Sequence, residues 1–187
     1  MVSLLGKTLE ELQAVALEAG LPRFAGKQLA EWIYVRRATS FDEMTNISLR
    51  GREALKQTYT IGRHVPVADA KSVDGTRKYL FEISNFKSQI SNKERQFIES
   101  VFIPEEDRAT LCVSTQAGCK MGCKFCMTGT LGFHGHLSAA DILNQIFSIP
   151  ESEQLTNIVL MGEGEPMDNI DEVLRALQAM TDRKSVV

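Results

Sequence analysis

Apolar and polar positions change their period along this chain, and the change divides it. Up to about residue 63 the spacing is helical. Thr8 and Glu11 form a capping-box pair, Leu9, Leu12, Ala16 and Ala19 follow at helical intervals, and Gly20 ends the run. Leu21-Pro22 opens a second segment whose apolar face is Phe24, Leu29, Trp32 and Ile33. Phe41 and Met44 predict a short helical turn, and Ser48 is placed to cap a third helix toward Tyr59 with Leu55 inward. From Val65 the period drops toward two. Val65-Pro66-Val67 and Lys78–Ile83 read as strands around an Asp74-Gly75 turn. Asn85–Arg95 is polar and aperiodic, a surface loop. Phe97–Ile103 alternates again, with Phe97, Glu99, Val101 and Ile103 on one side.

The last third mixes the two periods. Ala109–Ser114 reads as a buried strand, and Ser138 caps a helix through Ile149 with Ile142, Leu143 and Ile146 inward. Leu155–Met161 is a second apolar strand, and Asn169–Met180 a helix with Ile170, Val173, Leu174 and Leu177 at helical spacing. Strand, loop, helix, repeated, is the order of a parallel α/β sheet or barrel. Ligands in such folds sit at the C-terminal ends of the strands, where both unusual loops of this chain fall.

Charge adds one asymmetry. The net formal charge is −3, so no global basic field points to nucleic acid. Gly20–Arg63 nevertheless carries eight Lys/Arg against four Asp/Glu, whereas His64–Val187 carries twelve against seventeen. A basic helical surface is first of all a solvated face; its second reading is contact with phosphates. Trp32 and Tyr34 admit base stacking, but Trp32 reads better as a core anchor. No run approaches the roughly 20 apolar residues of a spanning helix, and no secretory leader is visible, so a cytoplasmic protein without membrane contact is expected. Thiols stay reduced there, which turns attention to the four cysteines, all between Cys112 and Cys126.

Three of them form Cys119-Lys120-Met121-Gly122-Cys123-Lys124-Phe125-Cys126, a C-x3-C-x2-C loop after an apolar strand. Three thiolates on one short loop suit three irons of a [4Fe-4S] cubane and leave the fourth iron open for a ligand. Gly118 and Gly122 allow a tight loop, and Phe125 is placed to shield it. A Cys3His zinc site using His134 or His136 is the competitor, but structural zinc ligands usually come as two separated pairs. The second loop, Gly162-Glu163-Gly164-Glu165-Pro166, offers backbone and acidic groups to a bound ammonium.

The C-x3-C-x2-C loop after a first barrel strand resembles the radical SAM superfamily. That resemblance implies a [4Fe-4S] cluster on Cys119, Cys123 and Cys126. It also implies S-adenosylmethionine (SAM) chelating the open iron, with Gly164 and Glu165 at its amino group. Further stretches narrow it. Gly20–Phe24, Glu31–Tyr34, Thr39–Thr45, Asp74–Tyr79, Ile98–Val101, Arg108–Ser114, Gly132-Phe133 and Gly164–Asn169 are similar to the RlmN/Cfr family of RNA methyltransferases. Membership would imply methylation of C2, or in some members C8, of adenine in 23S ribosomal RNA and transfer RNA. An external electron donor such as a flavodoxin and a monomeric full-length enzyme would come with it. By the same resemblance Cys112 is the cysteine that resolves the protein–RNA bond through a transient disulfide, and Glu99 the proton acceptor. On residues alone, Cys112 is a small buried hydrophobe and Glu99 a surface glutamate.

The implied fold is α/β: the first two βα units of a radical SAM barrel, preceded by a small helical accessory domain and a short β linker. The expected boundaries are 1–63 for the RNA-binding accessory domain, 64–104 for the β-hairpin linker, and 105–181 for the start of the barrel. A non-native tail is expected at 182–187, since one reading frame of a common sequencing adapter encodes Asp-Arg-Lys-Ser-Val-Val and then stops. Glu163 departs from the family, which usually has an apolar residue there, often Met. The family is nearly twice as long, so a truncated fragment unable to complete a turnover is expected. A methylthiotransferase-like radical SAM enzyme and a non-enzymatic RNA-binding or zinc module are the alternatives.

Overall fold

A computed structural model describes residues 1–83 and 96–181 in two compact units. One comprises residues 1–63 with the described residues from 174 onward, the other residues 64–173. The loop expected at 85–95 and the tail expected at 182–187 lie outside the described residues.

In the first unit, α1 (Leu9–Glu18) begins at Thr8, whose side chain accepts from the Glu11 amide while the Glu11 carboxylate accepts from the Thr8 amide. Helix α2 (Ala25–Ala30) continues into a π-helical turn, Glu31–Val35. Ser48 caps α3 (Leu49–Thr58). Strands β1 (Val2–Ser3) and β2 (Tyr59–Thr60) pair in parallel and tie the N-terminus to the end of α3. Trp32 is buried and donates its indole N–H to Asn46 at 2.6 Å, as a core anchor should. The Arg36 guanidinium lies 4.5 Å from its ring centroid.

The second unit is built on a five-stranded sheet. Strand β3 (Ala68–Lys71) starts later than expected because Pro66 has no N–H for the ladder. It turns at Asp74-Gly75 into β4 (Arg77–Ile83), which pairs antiparallel with β5 (Gln96–Pro104). Strand β6 (Ala109–Cys112) lies antiparallel to β5 on the other side.

An additional hairpin then interrupts the first βα unit. Strands β7 (Gln116–Gly118) and β8 (Phe133–His136) pair antiparallel, and the cysteine loop with the short α4 (Met127–Leu131) is the connection between them. The loop is thus held at both ends by a sheet.

Helix α5 (Ala139–Phe147), whose N-cap Ser138 and Asp141 complete a capping box, carries the chain back to β9 (Asn157–Val159). Strand β9 pairs in parallel with β6, so the sheet runs β3-β4-β5-β6-β9 and hairpin strands share it with βα strands. After β9 a 3-10 turn, Pro166–Asn169, leads into α6 (Ile170–Thr181). Val173, Ala176 and Ala179 are the buried positions of α6, so Leu174 and Leu177 lie off its buried stripe. One face of the sheet is core: Tyr79, Phe81, Ile98, Phe102 and Leu111 are buried. The face bearing Phe97, Glu99, Val101 and Ile103 is the open one.

Candidate active site

The cysteine loop leaves β7 through Gly118, whose φ of +67° favours glycine, and a Cβ there would stand 1.8 Å from the Gly132 carbonyl oxygen. That close approach lets the Cys119 amide donate to the Gly132 carbonyl at 3.0 Å, closing the loop at its neck. The Cys126 amide donates to the Cys123 carbonyl at 3.0 Å, a turn that draws those two positions together. All four cysteines are free thiols. The backbone N–H groups of Gly129 and then Thr128, in the turn that follows, hold the Cys126 thiol below its ordinary pKa. Cys123 is exposed, whereas Cys119 and Cys126 are half-buried. Phe125 does not cover the loop; it is 95% exposed.

This donor set suits a cubane better than a single ion. A single zinc ion gathers four ligands on one position. A cubane instead takes one thiolate per iron, and the loop offers three, already disposed toward thiolate at Cys126. His134 turns back to the Leu131 carbonyl at 3.2 Å, and His136 sits 3.1 Å from the Gln116 amide nitrogen.

Cys112 is elsewhere. It ends β6, paired with Val101 of β5 and Val159 of β9. Because paired residues share a face, Cys112 lies on the open face with Val101, and Glu99 is two residues along the same face. Burial pushes the Cys112 thiol above its ordinary pKa. The Glu99 carboxylate is ion-paired with Lys78 at 2.9 Å.

The Gly162–Pro166 loop docks onto the beginning of the cysteine hairpin. Gly164 has φ +98°, and a Cβ would stand 2.5 Å from the Gln116 Cβ, so only glycine lets the loop pass. Gln116 then bridges the two loops. Its side-chain Oε1 accepts from the Glu165 backbone amide at 3.0 Å, and its side-chain Nε2 donates to the Asp168 carboxylate at 2.7 Å. Asp168 also pairs with Lys120, inside the cysteine loop, at 3.0 Å. Lys120 first and Gln116 second hold the Asp168 carboxyl below the usual carboxylate range. Two loops distant in sequence are in this way fastened side by side.

Comparison with known proteins decides the family. Residues 2–61 match the family described as Ribosomal RNA large subunit methyltransferase N-terminal domain, and residues 113–186 match the Radical SAM superfamily. Over 182 residues the chain is 61% identical to the "Probable dual-specificity RNA methyltransferase RlmN" of Porphyromonas gingivalis, covering 97% of this chain and 49% of that protein. The chain belongs to the RlmN family. It is also 43% identical over 180 residues to the "Dual-specificity RNA methyltransferase RlmN" of Geobacter sulfurreducens, covering 96% of this chain and 48% of that protein. The crystal structure of a radical SAM methyltransferase from Sphaerobacter thermophilus matches with a TM-score of 0.84 at 32% identity, over 96% of this chain and 52% of that one. The chain spans about half the length of the curated relatives it matches.

In this RlmN-family chain several site-building residues carried no sequence signal. Gln145, fully buried on α5, accepts from the Ser114 amide at 2.8 Å and donates to the Ser114 carbonyl at 2.9 Å. Ser114 in turn donates its hydroxyl to the Glu99 carbonyl at 2.6 Å and accepts the Glu163 amide at 2.8 Å. Asn169 donates to the carbonyls of Thr115 and Leu137, each at 2.8 Å. A polar residue within an apolar helical face, as Gln145 is, was the one available hint.

Proposed function

We propose that this chain supplies the cluster-binding and first SAM-contacting part of an RNA adenine-C2 methyltransferase acting on 23S ribosomal RNA and transfer RNA. The observation that supports this most is the pairing of a loop of three free thiols with the Gly162–Pro166 loop, fastened through Gln116 and Asp168 at one end of the sheet. The names of its relatives supply the substrate class. In this reading Cys119, Cys123 and Cys126 hold a [4Fe-4S] cluster, and Gly164 and Glu165 receive the SAM ammonium. Bound there, the cluster would supply the electron for cleavage of the SAM sulfonium.

The chain's own groups bind, orient and move protons. The Gly162–Pro166 loop orients SAM with backbone groups that glycine leaves accessible and with the Glu165 carboxylate. Glu99 takes a proton from the reacting base, and Cys112 is the thiol that resolves the protein–RNA bond. Both lie on the open sheet face, and a thiol kept neutral by burial waits there unreactive until a base removes its proton. The barrel that starts with β6, α5, β9 and α6 is completed by further βα units in the whole protein. The exposed basic side chains of residues 20–63, Lys27 and Arg50 among them, contact RNA phosphates. The whole protein works as a cytoplasmic monomer with an external electron donor; among the described residues no helix is long and apolar enough to cross a membrane.

Anaerobic reconstitution tests the reading. The parent chain should take up iron and labile sulfide in near-equal amounts, and SAM should change the electron paramagnetic resonance (EPR) spectrum of the reduced cluster. A triple Cys119/Cys123/Cys126→Ala variant should lose both, and Cys112→Ala should keep both. Zinc without labile sulfide in the parent would refute it. For RNA, Lys27→Glu with Arg50→Glu should weaken binding and flatten its salt dependence; an unchanged slope counts against these contacts.

A further inference from the structure

Glu163 stands out because its backbone and its side chain are both used, on β5 and on the stretch from Ser114 to Gly118. Its amide donates to the Ser114 hydroxyl at 2.8 Å. Its carbonyl accepts from the amides of Thr115 and Gln116, at 2.8 and 3.2 Å. The carboxylate then divides: Oε1 accepts from the Glu99 amide at 3.2 Å, and Oε2 from the Gly118 amide at 3.0 Å. Glu99 is on β5, and Gly118 immediately precedes Cys119.

What the carboxylate does in this chain follows from the sheet. Strand β6 ends at Cys112, two residues short of the position that would face Glu99. The edge of β5 at Glu99 therefore has a backbone N–H and C=O with no strand beside them. Side chains replace the missing ladder: the Ser114 hydroxyl takes the carbonyl, and Glu163 takes the amide. The Gly118 amide, where the β7–β8 register shifts, also finds its acceptor in the Glu163 carboxylate. Two donors converge from different segments, and a carboxylate is the side chain with two acceptor oxygens and no donor.

We propose that Glu163 is a positioning residue whose carboxylate clamps β5 at Glu99 to the neck of the cysteine loop at Gly118, fixing where Cys119 stands relative to the Glu99 side chain. The inference rests on the cluster reading above, since it gives Cys119 its role. Burial raises the Glu163 pKa, while the Gly118 and Glu99 amides pull it back, as expected of an enclosed carboxylate facing two donors. Substitutions separate the clamp from general packing. Met fills similar space but accepts neither amide. Gln keeps one acceptor oxygen and turns an NH2 toward the other amide, donor against donor.

The test has two readouts. In the metal-free parent, hydrogen exchange is followed at the Gly118 and Glu99 amides, with Ile98 and Leu111 as core references. Glu163→Met should speed exchange about tenfold at both clamped amides, in keeping with a hydrogen bond of this kind, and leave the references unchanged. Glu163→Gln should speed only one of the two. Unchanged exchange at both amides in the Met variant overturns the clamp. If the Met variant fails to fold, the Gln variant decides: one amide released supports the clamp, and neither or both released overturns it. After reconstitution, the variants should show a shifted midpoint potential and an altered EPR response to SAM at full iron content. Loosened amides with an unchanged potential and spectrum overturn the positioning role. A parent chain that takes up no iron instead overturns the cluster reading and leaves the exchange result standing.

Discussion

Replacing Gln145 by Leu tests how the cysteine loop and the Gly162–Pro166 loop are anchored to the sheet. Gln145 is fully buried, and its carboxamide matches the Ser114 backbone as an adjoining strand would, accepting from the N–H and donating to the C=O. Leu has nearly the volume of Gln, so no cavity opens and the loss is polar. Two buried backbone groups are left unpaired, at about 1–3 kcal/mol each, or about 2–6 kcal/mol together. Against a domain stability of about 5–15 kcal/mol this is large. At a urea slope of about 2 kcal/mol per M, a loss in the middle of that range lowers the unfolding midpoint by about 2 M. Far-UV circular dichroism in urea measures it. Trp32 is the one tryptophan and belongs to the other unit, so its fluorescence does not report this one. Ser114 also bonds Glu99 and Glu163, so the Glu163 amide should exchange faster as well. A midpoint within about 0.3 M of the parent would sink the argument, since it would mean that the Ser114 groups find other partners at no cost.

Other outcomes are as definite. Gly118→Ala sets a Cβ 1.8 Å from a carbonyl oxygen at φ +67°, so the loop neck must open; iron uptake on reconstitution should fall well below the parent, and full uptake would contradict the geometry. The Cys112 thiol is raised above its ordinary value of 9.0 by burial, so its alkylation by iodoacetamide, followed by peptide mass spectrometry, should reach half its maximal rate above that pH. The sign for stability follows: the buried neutral thiol favours the folded state below pH 9.0, and that contribution is lost as pH rises through the folded value. An alkylation midpoint at or below 9.0 would contradict the burial of the thiol. Asn46→Ala removes the acceptor for the Trp32 indole at 2.6 Å and should destabilise the first unit by about 1–3 kcal/mol, visible as a lower midpoint of Trp32 fluorescence in urea.

The sequence by itself determined the local features. Thr8 with Glu11, and Ser138 with its first turn, satisfy helix N-termini from neighbouring residues, so capping was legible without tertiary structure. The Asp74-Gly75 turn and the crossover from β6 through α5 to β9 were legible for the same reason: period and turn chemistry are short-range. The C-x3-C-x2-C spacing picked out the cysteine loop because its three cysteines lie within eight residues of each other. Only the tertiary structure decided what surrounds that loop. The β7–β8 hairpin pairs Gln116–Gly118 with residues across the whole loop, and so short a pairing has no periodic signature. Phe125, expected to shield the loop, points into solvent, because a local motif fixes a residue's place in the chain and not the direction of its side chain. Glu163 read as a departure in a loop, and Gln145 as a polar interruption of a helix. Each becomes intelligible only where β6 stops short and leaves the backbone of Glu99 and Ser114 to be satisfied by side chains distant in sequence.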